Sequence, residues 1–264
     1  MYNCLIMGSG RSGTSMVAGT LARAGYFMGT QLYEPRASNP KGFYEDVEVN
    51  AINEEILASV TPWVPPSFRP GPVYSSLRRT LFRGKPGAGE RWLSQVRPGV
   101  PMRSTPEIDA RIQRLIQNKV YCLKDPRFCY TLPLWRPWLE QTRFICVFRE
   151  PTITAASMMS ELRAVPKLAS LKLGYADCLQ IWQLMYSHVL DIHRHLGEWL
   201  FLHYDQVLHG TALDTLGTFL DVAPDWTFPD PLLQRTQPRC EAPESIDRVY
   251  KQLCAQAKYN QELR

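Results

Sequence analysis

A glycine-rich stretch near the start of the sequence has the residue types and spacing of an anion-binding loop. Residues 8–15 (GSGRSGTS), the glycine loop, follow an apolar run and precede a run with helical spacing. A glycine turn between a strand and a helix presents backbone N–H groups to an anion, and the helix dipole adds to the attraction. Thr14 stands where the loop G-x-x-x-x-G-K-[ST] has lysine, and the cation is Arg11 instead. The pattern predicts an anion site, with a purely structural glycine turn as the alternative.

Two later segments place charged side chains directly after apolar runs. Lys124, Asp125 and Arg127 follow residues 119–123, and Arg149 follows residues 143–148. In a parallel sheet the carboxyl ends of the strands meet at one edge, where ligands bind. We therefore expect these side chains to converge with the glycine loop.

Strand-like and helical segments alternate along the chain, which predicts an α/β fold around a mainly parallel sheet. The predicted strands are residues 3–7, 119–123, 143–148 and 199–204. The predicted helices are residues 16–25, 45–60, 106–118, 130–141, 152–163, 175–196, 211–221 and 244–259. At 264 residues, the chain is expected to form a single domain, 1–264.

Residues 61–105, the basic stretch, interrupt this alternation. Between residues 64 and 105 there are eight Arg or Lys residues and one acidic residue, Glu90, with prolines and glycines throughout. This composition predicts an insertion or lid outside the core layers. Two roles stay open for it: a cover over an anionic or bulky ligand, or a solvated loop.

Composition argues against several classes of protein. The chain has 30 Lys and Arg and 25 Asp and Glu residues, and the net charge of +5 suits a small polyanionic ligand but is too low to indicate nucleic acid. No apolar run reaches about 18 residues, and the N-terminus lacks the basic region of a signal peptide, so we expect a cytoplasmic protein with no membrane partner. The seven cysteines include no CxxC pair, so no zinc site is predicted. Cys4, Cys122 and Cys146 lie in apolar runs and are expected to be reduced and buried.

Four segments together resemble the motifs of the sulfotransferase superfamily. Residues 10–15 are similar to its 5′-phosphosulfate loop in the Arg-Ser-Gly-Thr-Ser form, and residues 143–151 with Ser157 are similar to its 3′-phosphate motif. Residues 124–127 resemble the block on the intervening strand. Residues 202–208 resemble a Tyr-[Glu/Asp]-Asp-Leu segment, although Gln206 stands where an acid is usual. The matches keep the family's order, and the basic stretch has no counterpart.

The resemblance implies a P-loop NTPase-like three-layer α/β/α fold and an enzyme that transfers a sulfuryl group without a metal. The donor would be 3′-phosphoadenosine-5′-phosphosulfate (PAPS), and the acceptor a hydroxyl or amine of a small molecule such as a natural product. Arg149 and Ser157 would hold the 3′-phosphate, and Arg11 would meet the charge that grows on the departing 5′-phosphate. The implied donor-binding residues are Gly10, Arg11, Ser12, Gly13, Thr14, Ser15, Arg149, Ser157 and Tyr204. Arg235 and Arg239, outside the matched segments, are further candidates to reach the 3′-phosphate from the C-terminal side.

The residue that takes the acceptor's proton stays open among Glu45, Asp46, Asp125 and the histidines. Residues 39–45 resemble a segment of bacterial relatives that ends in Glu, which favours Glu45. The alternative is that Glu45 only complements a helix N-terminus. Lys124 is expected to bind the transferred group or hold the base. Asp125 either contributes to catalysis with them or pairs with Arg127.

Two other functions also fit parts of the pattern. A P-loop kinase that uses ATP and Mg²⁺ would account for the loop but not for the displaced cation. A non-catalytic nucleotide-binding module would use the basic stretch as a partner surface. His188, His193 and His195 lack the i,i+4 spacing of a metal face, so a structural role is expected for them.

Overall fold

The computed structural model describes residues 1–64, 80–117, 120–233 and 241–260, and within them parallel strands form one central sheet. The strands are β1 (Asn3–Met7), β2 (Cys122–Lys124), β3 (Thr142–Phe148) and β4 (Trp199–His203). Their order in the sheet is β2-β1-β3-β4. Because all four run in one direction, the segments that follow them lie at the same edge.

Helices cover both faces of this sheet. They are α1 (Thr14–Arg23), α2 (Val47–Ala58), α3 (Pro106–Ile116), α4 (Phe128–Trp135), α5 (Pro151–Ala164), α6 (Pro166–Ala169), α7 (Tyr175–Asp191), α8 (Tyr204–Leu208), α9 (Leu213–Leu220) and α10 (Glu244–Gln256). The predicted α/β class is confirmed.

Alternate residues of each strand face two separate cores. Leu5 of β1 and Phe148 of β3 belong to a large cluster with α2, α4, α7 and α10. Ile6 and Val147, one position away on the same strands, belong to a smaller cluster with α1 and α9. Strands that are apolar on both faces are typical of a parallel sheet between two helical layers, and this arrangement explains the continuous apolar runs in the sequence.

Several predicted boundaries were wrong by a few residues. The helix predicted over 130–141 ends at Trp135, because Pro137 follows and the chain turns into a short 3-10 segment. The helix predicted over 175–196 ends at Asp191. Tyr204, predicted as the end of a strand, instead begins α8, because the N–H of Asp205 donates to His203 Nδ1 (3.1 Å) and caps the helix there.

The part of the basic stretch that is described departs from the prediction. Residues 65–79 lie outside the described residues. The expectation that the stretch stays out of the core is wrong for the segment around a 3-10 turn at Arg91–Leu93, where Leu93 and Val96 join the large cluster. Leu93 and Val96 are separated by Ser94 and Gln95 and lie between charged residues, so a composition count over the whole stretch hides them.

The three cysteines predicted to be buried and two of the three histidines predicted to be structural lie in the interior. Cys4, Cys122 and Cys146 are free and buried, as predicted. His188 Nε2 bonds to the Val96 carbonyl (3.0 Å) and His193 Nε2 to the Cys129 carbonyl (2.9 Å), which confirms their structural role. Across the described ranges, no helix is both long and apolar enough to cross a bilayer.

Candidate active site

The glycine loop leaves the carboxyl end of β1 and leads into α1. Gly13 has a φ of 93°, and a Cβ atom there would lie 2.5 Å from Tyr204 Cδ2, so the close approach of the ring requires glycine. The Ser9 N–H donates to the Tyr186 hydroxyl (3.0 Å), which donates to the Val147 carbonyl (2.8 Å). Tyr186 of α7 thus links the loop to β3. No side chain among the described residues caps the N-terminus of α1. Its first N–H groups are therefore available to an anion.

Arg11 extends from the loop towards α5. Its Nε donates to Ser157 Oγ (3.2 Å), its Nη2 donates to the Ser38 carbonyl (3.0 Å), and its Nη1 lies 3.8 Å from Glu161 Oε2. Burial lowers the pKa of Arg11, and the Glu161 carboxylate opposes that effect. Arg11 thus lies with Ser157 rather than over the loop, because α5 offers the guanidinium both a hydroxyl and a carboxylate.

Arg149 stands at the end of β3 with part of its guanidinium unpaired. The residue is 6% exposed, and its guanidinium carbon lies 4.1 Å from the centre of the Tyr204 ring. Neither Nε nor Nη2 has a hydrogen-bond partner within the described residues. Burial lowers the pKa of Arg149, while Tyr204 and Asp205 oppose that effect. A buried cation with unmet donors is costly, so the arrangement favours an anionic ligand.

These side chains form one group, here called the arginine cluster. Its members are Arg11, Arg149, Ser157, Glu161 and Tyr204. They come from the glycine loop, the end of β3, α5 and the start of α8. The cluster adjoins the N-terminus of α1 through the contact of Tyr204 with Gly13. Two neighbouring groups of anion-binding donors therefore exist at this edge of the sheet.

Glu45 lies on the other side of the loop and is held by Lys124. The two side chains form an ion pair, and Lys124 Nζ also donates to Ser15 Oγ (3.3 Å) at the start of α1. The Lys124 side chain is 1% exposed and that of Glu45 is 16% exposed. Glu45 precedes Asp46, whose carboxylate accepts hydrogen bonds from the N–H groups of Glu48 and Val49 and caps α2. Asp46 is thus the capping acid, while Glu45 keeps its carboxylate at the site.

Asp125 lies deeper and is fully buried. Its Oδ1 accepts hydrogen bonds from the N–H (2.7 Å) and Nη1 (3.1 Å) of Arg127, which is the expected pair. Its Oδ2 accepts a hydrogen bond from Asn50 Nδ2 (2.9 Å), and the same nitrogen donates to Glu45 Oε2 (3.0 Å). Burial raises the pKa of Asp125, and Arg127 opposes that effect. Asp125 therefore reaches the site through its neighbours rather than directly.

Glu54 links this group to the basic stretch. Its carboxylate accepts hydrogen bonds from Arg127 Nε (2.7 Å), from the N–H (2.9 Å) and Nη1 (2.9 Å) of Arg91, and from the N–H of Gly89 (2.8 Å). Trp92, which follows Arg91 in the sequence, packs on the glycine loop, since a Cβ atom on Gly10 would lie 2.7 Å from Trp92 Cε3. The residues Glu45, Asn50, Glu54, Lys124, Asp125 and Arg127 are here called the carboxylate cluster.

Sequence reasoning missed several of these residues, and only some left a signal. Asn50 and Glu54 are four positions apart on α2, and Ser157 and Glu161 are four positions apart on α5. Helical spacing puts each pair on one face, so this signal was available. Nothing in the sequence indicated that Trp92 contacts the loop. Arg235 and Arg239 lie outside the described residues.

Among the residues that the structure describes, no three His, Cys, Asp or Glu side chains are grouped as metal ligands.

Comparison with known proteins gives a structural likeness without a sequence match. No protein-family model matches the chain, and no curated protein matches it. The sulfotransferase domain from the Synechococcus PCC 7002 olefin synthase is similar with a TM-score of 0.51 at 18% identity, over 98% of this chain and 94% of that one. The sulfotransferase domain from the curacin biosynthetic pathway is similar with a TM-score of 0.55 at 14% identity, over 98% of both chains. This chain therefore has the fold of these two sulfotransferase domains.

Proposed function

We propose that the protein is a sulfotransferase that moves a sulfuryl group from PAPS to a hydroxyl or amine of a small-molecule acceptor. The observation that carries the proposal is that Nε and Nη2 of Arg149 have no hydrogen-bond partner among the described residues, beside an N-terminus of α1 that no described side chain caps. PAPS has two separate anionic groups, at its 5′ and 3′ positions, and thus needs two anion sites at a short spacing. The shared fold of the two sulfotransferase domains supports the same conclusion.

The described residues fit such a donor. The first N–H groups of α1 and the hydroxyls of Ser12, Thr14 and Ser15 would hold the 5′-phosphosulfate. Arg149 and Ser157 would hold the 3′-phosphate, and Arg11 would join them, since it contacts Ser157. Charge-assisted hydrogen bonds from guanidinium groups to phosphate are among the strong ones in proteins. When bound, PAPS supplies a sulfuryl group attached to a phosphate leaving group.

Glu45 is the residue proposed to take the acceptor's proton. Its carboxylate is partly exposed, whereas those of Asp46 and Asp125 are buried and engaged by backbone or side-chain donors. As the acceptor oxygen bonds to sulfur, its proton passes to Glu45, and the bond between sulfur and the 5′-phosphate oxygen breaks. Lys124 joins Glu45 to Ser15 and so places the base beside the loop.

The acceptor class rests on the two structural neighbours. The two structural neighbours belong to an olefin synthase and to the curacin biosynthetic pathway. We therefore propose a hydroxylated intermediate of secondary metabolism as the acceptor. The basic stretch places Trp92 against the loop, which is consistent with a cover over the site.

The test is calorimetric binding of 3′,5′-ADP (PAP), the desulfated donor, in the absence of magnesium. We expect the wild-type protein to bind PAP and Arg149→Ala to lose on the order of 100-fold in affinity, because two charge-assisted hydrogen bonds are lost. Arg143→Ala, at the opposite end of the same strand, is the control and should bind like the wild type. Absence of PAP binding, or binding of ATP only with Mg²⁺, would contradict the proposal.

Catalysis is tested separately, by incubation of the protein with PAPS and a set of hydroxylated compounds. A product heavier by one SO₃ group, with equimolar PAP, is the expected result in mass spectrometry. A protein that binds PAP but modifies no compound in the set, and releases no PAP from PAPS, would contradict the enzymatic part of the proposal.

A further inference from the structure

We propose that Asn50 is a positioning residue for Glu45, and this inference rests on the proposed function. The Nδ2 atom of Asn50 donates one hydrogen bond to Glu45 Oε2 (3.0 Å) and one to Asp125 Oδ2 (2.9 Å). Both hydrogens of the amide are thus used, and each goes to a different carboxylate. Asn50 therefore ties the proposed base to the buried acid behind it.

The two oxygens of Glu45 are held from different elements. Oε1 is paired with Lys124 on β2, while Oε2 accepts from Asn50 on α2. A carboxylate bound at one oxygen alone could rotate about its last bond, whereas two holders fix its plane. A general base must lie within about 3 Å of the acceptor oxygen, with the proton on the line between the two oxygens. A carboxylate held in one orientation is already close to that geometry.

Asn50 is itself held in place by the rest of the carboxylate cluster. It is 6% exposed, so water competes little for its amide. Its second acceptor, Asp125, is fixed by two hydrogen bonds from Arg127, and Glu54 in turn accepts from Arg127 Nε (2.7 Å). The position of Glu45 is thus set by a chain of contacts that ends in the protein interior.

The chemistry of this position favours an amide over other polar groups. Glu45 and Asp125 are both acidic and share one partner, so a third carboxylate at residue 50 would repel both. A cation at residue 50 would compete with Lys124 and Arg127 for the same oxygens. A neutral group with two hydrogens on one nitrogen satisfies both acids and adds no charge.

The experiment compares Asn50→Ala and Asn50→Asp with the wild type in transfer from PAPS to an aliphatic alcohol of the compound set that the wild type modifies, because such an alcohol keeps its proton until a base removes it. Both variants remove the two donated hydrogen bonds. Asn50→Ala does so without a new charge, whereas Asn50→Asp keeps the size of the side chain and adds a carboxylate that repels Glu45 and Asp125. We expect kcat to fall about 10- to 100-fold, because a misplaced base loses rate while the donor site is untouched. The KM for PAPS and the affinity for PAP should stay within about twofold of the wild type.

Asn53→Ala is the matched control. Asn53 is a second buried asparagine on α2, and its Oδ1 accepts hydrogen bonds from Thr131 Oγ1 (2.7 Å) and Trp135 Nε1 (2.9 Å), away from Glu45. This variant should melt at a lower temperature but keep the wild-type kcat below its transition. A merely structural role for Asn50 would give the same result as the control.

The outcomes separate the two proposals. Unchanged kcat in both Asn50 variants of an active protein would overturn the positioning role and leave the proposed function standing. A parallel loss of PAP affinity and kcat would also overturn it, since Asn50 would then support the whole site. A wild-type protein that neither binds PAP nor transfers a sulfuryl group would overturn the proposed function, and the positioning role with it.

Discussion

The arginine cluster and the carboxylate cluster lie on two sides of the same loop, and they differ in how far their charged side chains are paired. In the arginine cluster, two nitrogens of the buried Arg149 guanidinium have no partner within the described residues. In the carboxylate cluster, Arg127 bonds to Asp125 and Glu54, and Lys124 pairs with Glu45. Within the described residues, the arginine cluster thus keeps guanidinium donors without a partner, whereas the charges of the carboxylate cluster are paired.

This difference follows from what each side is proposed to do. A site that binds an anionic donor keeps cationic donors unpaired and accepts a cost in the free protein that the ligand removes. A base that acts once per turnover benefits from being oriented in advance, so its partners are part of the fold. Pairing within the protein therefore separates Arg149, which is proposed to bind, from Glu45, which is proposed to act as the base. Arg11, also proposed to bind, contacts Ser157 and Glu161 in the free protein.

The largest effect is expected for Glu45→Gln. Loss of a positioned general base lowers kcat by about 10²- to 10⁴-fold, while PAP affinity stays unchanged because Glu45 is outside the arginine cluster. Steady-state kinetics and calorimetry on one preparation would measure both. Glu48→Gln is the matched control, since Glu48 is an acid three positions along that pairs with Arg111 on α3. A wild-type kcat in Glu45→Gln would leave the carboxylate cluster without a catalytic role.

The next largest effect is expected for Arg127→Met in the carboxylate cluster, and it is an effect on the stability of the protein. Arg127→Met leaves the buried Asp125 without its cationic partner and the half-buried Glu54 with Arg91 alone, and removal of one member of a buried ion pair costs about 3–5 kcal/mol in free energy of unfolding. Urea denaturation would measure it. Arg97→Met, at an exposed position, should change the free energy little. An Arg127→Met protein as stable as the wild type would show that the cluster does not depend on its pairing.

Arg149→Met should behave in the opposite way in the same urea series. Nε and Nη2 of the buried Arg149 have no partner among the described residues, so removal of this cation removes a cost, and the free energy of unfolding of the free protein should stay the same or rise. The wild type should gain about 2.7 kcal/mol from PAP at 100 times its dissociation constant, and the variant should lose most of that gain. If Arg149→Met were as destabilising as Arg127→Met, the contrast between the two clusters would be wrong.

The smallest effect is expected for Glu161→Gln. The Glu161 carboxylate lies 3.8 Å from Arg11 Nη1 and competes with a phosphate for that guanidinium. Its neutralisation should raise PAP affinity by about two- to fivefold at low salt, and less at high salt, as for other partly exposed ion pairs. Glu140→Gln, at an exposed position, controls for the change in net charge. Weaker PAP binding would instead show that Glu161 holds Arg11 in place.

The overall fold was predictable because its signals are local. Apolar runs that stop at glycine or at a charged residue indicated β1 and β3, and the spacing of the glycines indicated the loop. Once the strands were expected to be parallel, the convergence of Lys124 and Arg149 with the loop followed from topology. The structure brings these segments to one edge of the sheet, as expected.

The partners of each charged side chain were not predictable in this way. Arg11 was expected to face the loop anion, yet it contacts Ser157, which is 146 positions away in the sequence. The basic stretch was expected to stay outside the core, yet Leu93 and Val96 are buried and Arg91 reaches Glu54. Composition and spacing describe single segments and carry no information about which distant segment supplies a partner.

The sequence by itself thus determined the order of the candidate site segments along the chain. A glycine-rich loop comes first, and a lysine and an arginine follow at the ends of later strands. Only the tertiary structure decided which of these charges are paired, as Lys124 is with Glu45, and which have donors without a partner in the part of the chain that is described, as Arg149 does. The physical reason is that a local pattern sets backbone conformation, whereas the free energy of a buried charge depends on every group that folding brings within a few ångströms of it.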